Sequence, residues 1–178
     1  MFSDDDEDRI DEDFVEGLLA GIASGSAQYA DVDDIRDCYQ YLLSVSRADD
    51  AERLLRWGLS IHVEDVSLLM LRATALIDQD ELDKAESLLD YVADAAQNCS
   101  TYFINRGWLL IKRDREHEAL PFFDKAIDVA GQEDKWVTVS EIATNLNQME
   151  FFDDAMMYYD RLPKSEIMDN PQVAFEYA

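Results

Sequence analysis

The sequence predicts an all-α chain, folded as an α-solenoid of antiparallel helix pairs. Apolar residues recur with the period of an α-helix through residues 31–178, and no stretch alternates in the manner of a strand. A small residue also returns at a nearly constant interval, since Ala51, Ala85 and Ala119 are 34 residues apart and Ala155 follows after another 36. Self-similarity at this period is typical of helical repeat proteins, whose stacked units bury a continuous core.

Residues 1–30 are predicted to form an acidic arm that contains one short amphipathic helix. Residues 1–13 carry eight carboxylates and little that can be buried, which favours disorder. Residues 14–22 place apolar side chains on one helical face. Gly17 and Gly21 each weaken that helix by about 1 kcal/mol relative to alanine. We therefore expect the helix to be ordered only where its apolar face meets a surface, either the first repeat or a groove.

Four repeats follow the arm, and each is predicted to contain two helices. They span about residues 31–64, 65–99, 100–135 and 136–169, and a fifth repeat begins at 170–178. Nine residues before each repeat alanine stands a leucine, namely Leu42, Leu76, Leu110 and Leu146. Twelve residues before the last three alanines stand small residues, namely Ala73, Gly107 and Ala143. Because two helices approach closely only where neither presents bulk, these small residues mark predicted helix crossings.

This arrangement resembles the tetratricopeptide repeat. The best match carries Gly107, Leu110, Ala119, Phe123 and Ala126 in the positions of the family pattern. The first repeat departs from that pattern, because Tyr39 replaces the small residue of the first helix. The resemblance covers about residues 31–178. It implies a right-handed superhelix that binds a peptide or a helix on its concave face and performs no chemistry itself.

By the same resemblance, the first helix of each repeat supplies the concave wall. The predicted partner-binding groove comprises Met70, Thr74, Ile77, Ile104, Asn105, Trp108, Ile111 and Asn147. In the last repeat, Ser140 and Thr144 are expected on the same face as Asn147. We expect Trp108 to be central, because an apolar patch on a concave surface suits an amphipathic helix. For Ile77 and Ile111, packing between neighbouring first helices is an equal alternative.

Composition excludes several classes of partner. The chain has 40 acidic and 15 basic residues and a net charge of −25, which disfavours nucleic acid and anionic membrane surfaces. No apolar run is long enough to span a bilayer, and the acidic start is unlike a signal peptide. Cys38 and Cys99 are too few for a disulfide framework. These features together predict a cytoplasmic protein.

No catalytic residue, metal site or cofactor is predicted. Glycine-rich phosphate loops, nucleophile elbows and Cys/His clusters are missing from the sequence. His62 and His117 fall at helix ends, where a solvated side chain is the simpler interpretation. The predicted function is a non-catalytic scaffold for a protein or peptide partner. The alternative is self-association through the uncapped last repeat of a longer protein that continues past Ala178.

Overall fold

The computed structural model describes residues 10–132 and 134–164, and within these ranges every regular element is an α-helix. For these residues the prediction of an all-α fold is confirmed. The helices are α1 Glu12–Ser24, α2 Val32–Ser44, α3 Ala48–Ile61, α4 Val66–Asp78, α5 Leu82–Val92, α6 Ser100–Ile111, α7 Glu116–Val129, α8 Lys135–Gln148 and α9 Phe152–Tyr159. The start of the acidic arm, residues 1–9, and the predicted fifth repeat at 170–178 lie outside the described residues.

The sequence repeat is also a repeat of backbone geometry. A residue with positive φ follows each of α2, α4, α6 and α8, namely Ser46, Asp80, Asp114 and Glu150, with φ of 61°, 60°, 56° and 67°. Their spacing equals that of the repeat alanines. In each turn the next residue donates its N–H over 2.8–3.0 Å to the carbonyl of a repeat leucine, Leu42, Leu76, Leu110 or Leu146. This hydrogen bond is the signature of the Schellman motif, so the same kind of turn ends all four of these helices.

The helices fall into two compact units, Met1–Arg72 and Ala73–Ala178, with the boundary inside α4. In the first unit, α2 packs on α3 and α1 packs on α3. Val15 and Leu19 of α1 are buried in the core of this unit together with Ile35. The predicted amphipathic segment is therefore a helix whose apolar face is covered within its own unit.

Gly21 has a structural reason to be glycine. The backbone N–H groups of Ser26 and Ala27 both donate to the Gly21 carbonyl, which folds the chain back over the end of α1. A Cβ on Gly21 would lie only 3.0 Å from Cα of Ala27. Because the turn needs this close approach, the glycine that weakens the helix also permits its ending.

In the second unit, α6 packs on α7 and α8 packs on α9. Gly107 of α6 lies directly against the ring of Phe123 on α7, and a Cβ there would be 2.2 Å from Cε1 of the ring. The four repeat alanines are each 0–1 % exposed, namely Ala51, Ala85, Ala119 and Ala155. Gly107 thus occupies a position with no room for a Cβ, and the repeat alanines are buried, as their periodicity predicts.

Candidate functional site

Three helices of the second unit line a cavity of about 280 Å³. The end of α4 supplies one wall, one face of α6 supplies the floor, and α8 supplies the opposite wall. The α6 residues recur at intervals of three or four, so they share one helical face. The lining residues are Thr74, Ile77, Asp78, Thr101, Ile104, Asn105, Trp108, Lys112, Glu141, Asn145 and Met149.

The structure brings five of the eight residues of the predicted groove together in this cavity, namely Thr74, Ile77, Ile104, Asn105 and Trp108. Ile111 is only 5 % exposed and belongs to the core of the second unit. Met70 lies in the first unit and is 1 % exposed. Asn147 is half-buried and does not line the cavity.

The α8 wall differs from the predicted face by a rotation of the helix. Thr144, expected in the groove, instead lies within hydrogen-bond distance of the Tyr159 hydroxyl on α9, with 3.1 Å between the two oxygens. The helix therefore turns Glu141, Asn145 and Met149 toward the cavity, at intervals of four residues. Helical spacing from Trp108 would have found Thr101 and Lys112, but the rotation of α8 depends on its packing against α9.

A buried polar pair connects two sides of the cavity. The Thr74 hydroxyl on α4 donates to the Asn105 side-chain oxygen on α6 over 2.9 Å. Asn105 is 1 % exposed, so its amide lies beneath the cavity surface. A buried polar side chain is stable only when it is hydrogen-bonded, and this bond fixes the position of α4 against α6. We infer that Asn105 positions the floor of the cavity.

Trp108 is the half-buried aromatic residue of the floor. Its indole packs against the Phe123 ring with 4.6 Å between centroids and a tilt of 51°. Phe123 is fully buried and meets Tyr158 edge to face at 6.3 Å. One side of the indole is thus held by the core while the other side borders the cavity. A large aromatic side chain fixed in this way can anchor a partner with little further loss of entropy.

Charge in the cavity comes from Asp78, Glu141 and Lys112. Partial burial raises the pKa of Asp78, and the nearby Lys112 opposes this only in part. Glu141 is reached by solvent, yet the protein atoms around it raise its pKa by desolvation. Among the described residues, neither carboxylate forms an ion pair within 4.0 Å with an arginine or lysine. Glu141 therefore lacks a charge partner that would offset its desolvation, and Asp78 has only the partial compensation of Lys112.

The raised pKa of Glu141 predicts that Glu141→Gln stabilises the chain near neutral pH. Because folding raises this pKa above its ordinary value of 4.5, the contribution of Glu141 to stability is largest below that pH and is lost as the pH rises through the folded-state value. The amide removes this loss. We expect the variant to have a higher Tm than the wild type near neutral pH, and the gain to shrink toward pH 4.5 and below.

Glu118→Gln is the matched control, because Arg115 holds Glu118 over two hydrogen bonds of 2.7 Å. This pairing lowers the pKa of Glu118, so the variant should have an equal or lower Tm near neutral pH. A Glu141→Gln variant that melts below the wild type at neutral pH would contradict the assigned desolvation.

Other features of the described residues offer less chemistry. Burial and the neighbouring Asp34 and Asp37 raise the pKa of the Cys38 thiol to about 11, so it stays protonated and is a poor nucleophile at neutral pH. A second cavity, between α1 and α2, is bordered by that thiol and three aspartates. The described part of the chain holds no group of three His, Cys, Asp or Glu side chains arranged to hold a metal ion. None of its helices has the length and apolar character needed to cross a membrane.

Comparison with protein-family models, with curated proteins and with solved structures gave no match to this chain. The functional conclusion therefore depends on the cavity formed by α4, α6 and α8, and on the residues that line it.

Proposed function

We propose that this chain is a non-catalytic, cytoplasmic protein-interaction module that binds a peptide or an amphipathic helix in the cavity around Trp108. The proposal also assigns the all-helical chain to one architecture, a tetratricopeptide-like α-solenoid of antiparallel helix pairs. The four Schellman turns support it, because they recur at the interval of the sequence repeat. The burial of every repeat alanine supports it as well.

The observation that carries the binding proposal is the position of Trp108. The indole borders a cavity and is backed by the fully buried Phe123. Tryptophan residues in such settings are the commonest binding hot spots of protein interfaces. Met149 is 37 % exposed and extends the apolar surface, while Ile77 and Ile104 line the cavity with only 3 % and 7 % of their surface exposed.

The size of the cavity favours side chains of a larger partner over an enclosed small molecule. Its volume of about 280 Å³ lies just below the range of about 300–1,000 Å³ that is usual for small-molecule sites. A helix laid across a groove inserts one or two anchor side chains at intervals of three or four residues. The lining residues of α6 and α8 recur at intervals of three or four, which suits that mode of docking.

The proposal predicts that Trp108→Ala weakens peptide binding. Helical peptides would be selected from a phage-displayed library on the purified full chain, and the dissociation constant of a synthesised peptide would be measured by calorimetry. We expect the variant to bind about tenfold more weakly or worse, since loss of a central aromatic anchor costs more than 1 kcal/mol.

Tyr91→Ala is the control for this measurement. Tyr91 is an aromatic residue of the same unit, is 66 % exposed and lies outside the cavity. Its replacement should leave affinity unchanged. Thr101→Arg supplies a second variant, which blocks the cavity from an exposed position without disturbing the core. Unchanged affinity in both cavity variants would place the binding surface elsewhere.

Self-association is the second candidate function, and the surface of α9 favours it. Phe152 is 57 % exposed, and Met156 and Met157 are each 39 % exposed. Apolar side chains grouped on one short helix can form an interface between copies. Light scattering of the full chain over a range of concentrations distinguishes the candidates, because a molecular mass that stays monomeric throughout removes self-association.

A further inference from the structure

The arginines of the second unit are already paired outside the cavity. Arg106 pairs with Asp90, Arg113 with Asp83 and Glu86, Arg115 with Glu118, and Arg161 with Asp124. In the cavity, two carboxylates face one ammonium group, that of Lys112. The excess is therefore one negative charge beside an apolar floor.

Building on the function proposed above, we propose that the occupant is a helical segment of a basic partner, which places an apolar side chain against Trp108 and a lysine or arginine within reach of Asp78 or Glu141. In the cavity one ammonium group, that of Lys112, stands near Asp78, and no basic side chain pairs with Glu141 among the described residues, so an added cation would compensate the remaining negative charge. It would bind in partly desolvated surroundings, where a charged hydrogen bond is stronger than in bulk water.

The net charge of the chain supports the same kind of partner. A charge of −25 attracts a basic segment from a distance and speeds its encounter with the acidic surface. The same charge disfavours a second copy as the occupant, because 40 acidic residues stand against 15 basic ones in this chain. An acidic segment would have only Lys112 to meet in the cavity and would face repulsion from both carboxylates.

The two carboxylates come from different helices, which gives the proposal its specificity. Asp78 is the last residue of α4, and Glu141 lies in the second turn of α8. The apolar centre between these walls, Ile104 and Trp108, belongs to α6. An occupant must therefore combine apolar and basic side chains on one face, at the three- or four-residue spacing of a helix.

The test uses a phage-displayed library of short helical peptides, randomised along one face and selected on the full chain. We expect the peptides recovered on the wild type to be enriched in lysine or arginine beside an apolar anchor. The double variant Asp78→Asn/Glu141→Gln should lose that enrichment. For a synthesised peptide from the wild-type selection, we expect the double variant to bind about tenfold more weakly. Lys112→Gln should bind it as well as the wild type or more tightly.

A salt titration gives a second readout for the same peptide. Affinity for the wild type should fall between about 0.1 M and about 1 M salt, where screening becomes strong, and should fall less for the double variant. The exchanged groups are exposed at the cavity surface and their amides keep the same shape, so folding is preserved; matching circular dichroism spectra confirm it.

The outcomes separate this inference from the proposed function. Peptides that depend on Trp108 but show no basic preference, or that are acidic and depend on Lys112, overturn the inference and leave the binding function standing. Failure to recover any peptide that depends on Trp108 overturns both.

Discussion

Phe123→Ala is expected to lower the free energy of unfolding by about 3–5 kcal/mol, the usual cost of truncating a buried phenylalanine. The ring is fully buried and lies between Gly107, Trp108 and Tyr158. Its loss leaves a void that these neighbours cannot fill without moving the crossing of α6 and α7. Urea denaturation followed by circular dichroism measures the change.

Phe152→Ala is the matched control for this substitution. Phe152 lies at the start of α9 in the same unit and is 57 % exposed. Its truncation removes few packing contacts, so we expect the free energy of unfolding to change by no more than about 0.5 kcal/mol. Equal losses in the two variants would show that Phe123 does not have the central packing role assigned to it. The Phe123 variant should also bind a selected peptide more weakly, because the indole of Trp108 loses its support.

Gly107→Ala is expected to destabilise the chain, although alanine is the better helix former. The added Cβ would lie 2.2 Å from Cε1 and 2.6 Å from Cδ1 of Phe123. Overpacking of this kind costs about 1–3 kcal/mol, and the close overlap favours the upper end. The higher helix propensity of alanine offsets only about 1 kcal/mol of this cost. Chemical denaturation should therefore show a lower free energy of unfolding for the variant than for the wild type.

Gly17→Ala is the control of opposite sign. Gly17 lies inside α1, and a Cβ there would meet nothing within 4 Å. Only the higher helix propensity of alanine acts here, so we expect the free energy of unfolding to rise by up to about 1 kcal/mol.

Combining Gly107→Ala with Phe123→Leu should lower the free energy of unfolding by less than the sum of the two single changes, because a smaller side chain makes room for the methyl group. Stabilisation by Gly107→Ala alone would exclude a tight crossing at this position.

Sequence periodicity predicted the helices and the burial of the small residues, because both follow from the need to bury the apolar face of each helix. Ala85 and Ala119 recur at the centre of apolar helical faces, and such a face must be buried. Their burial in the structure follows from that pattern alone. Gly107 was likewise expected at a crossing, although its contact with the Phe123 ring needed the three-dimensional arrangement of α6 and α7.

The turns could not be predicted in the same way. Ser46, Asp80, Asp114 and Glu150 adopt positive φ, which glycine or asparagine usually supplies at the end of a helix. Aspartate adopts this conformation more readily than most residues, so Asp80 and Asp114 gave a weak signal. Ser46 and Glu150 gave none, and for Glu150 the conformation carries an energetic cost. The Schellman hydrogen bonds to the repeat leucines hold the conformation, so it is a property of the closed turn.

The cavity was predicted in part, and the missing part has a physical cause. Trp108 and Ile104 were expected on its surface because the resemblance to the tetratricopeptide repeat implies that this face of the helix lines the groove. Glu141 was not expected there. The contact of Thr144 with Tyr159 sets the rotation of α8, and this rotation brings Glu141 to the cavity. The location of Asp78 and Glu141 in one cavity appears only in the structure, because the two residues are far apart in the sequence and lie on different helices.

The most direct test of the binding proposal is nuclear magnetic resonance of the indole N–H groups during titration with a selected helical peptide. The chain has three tryptophans, so the indole region is simple, and Trp108→Phe assigns the relevant signal. The proposal predicts that the Trp108 resonance shifts in step with saturation while that of Trp57, in the first unit, stays in place. A Trp108 resonance that does not move as the peptide saturates the protein would contradict it.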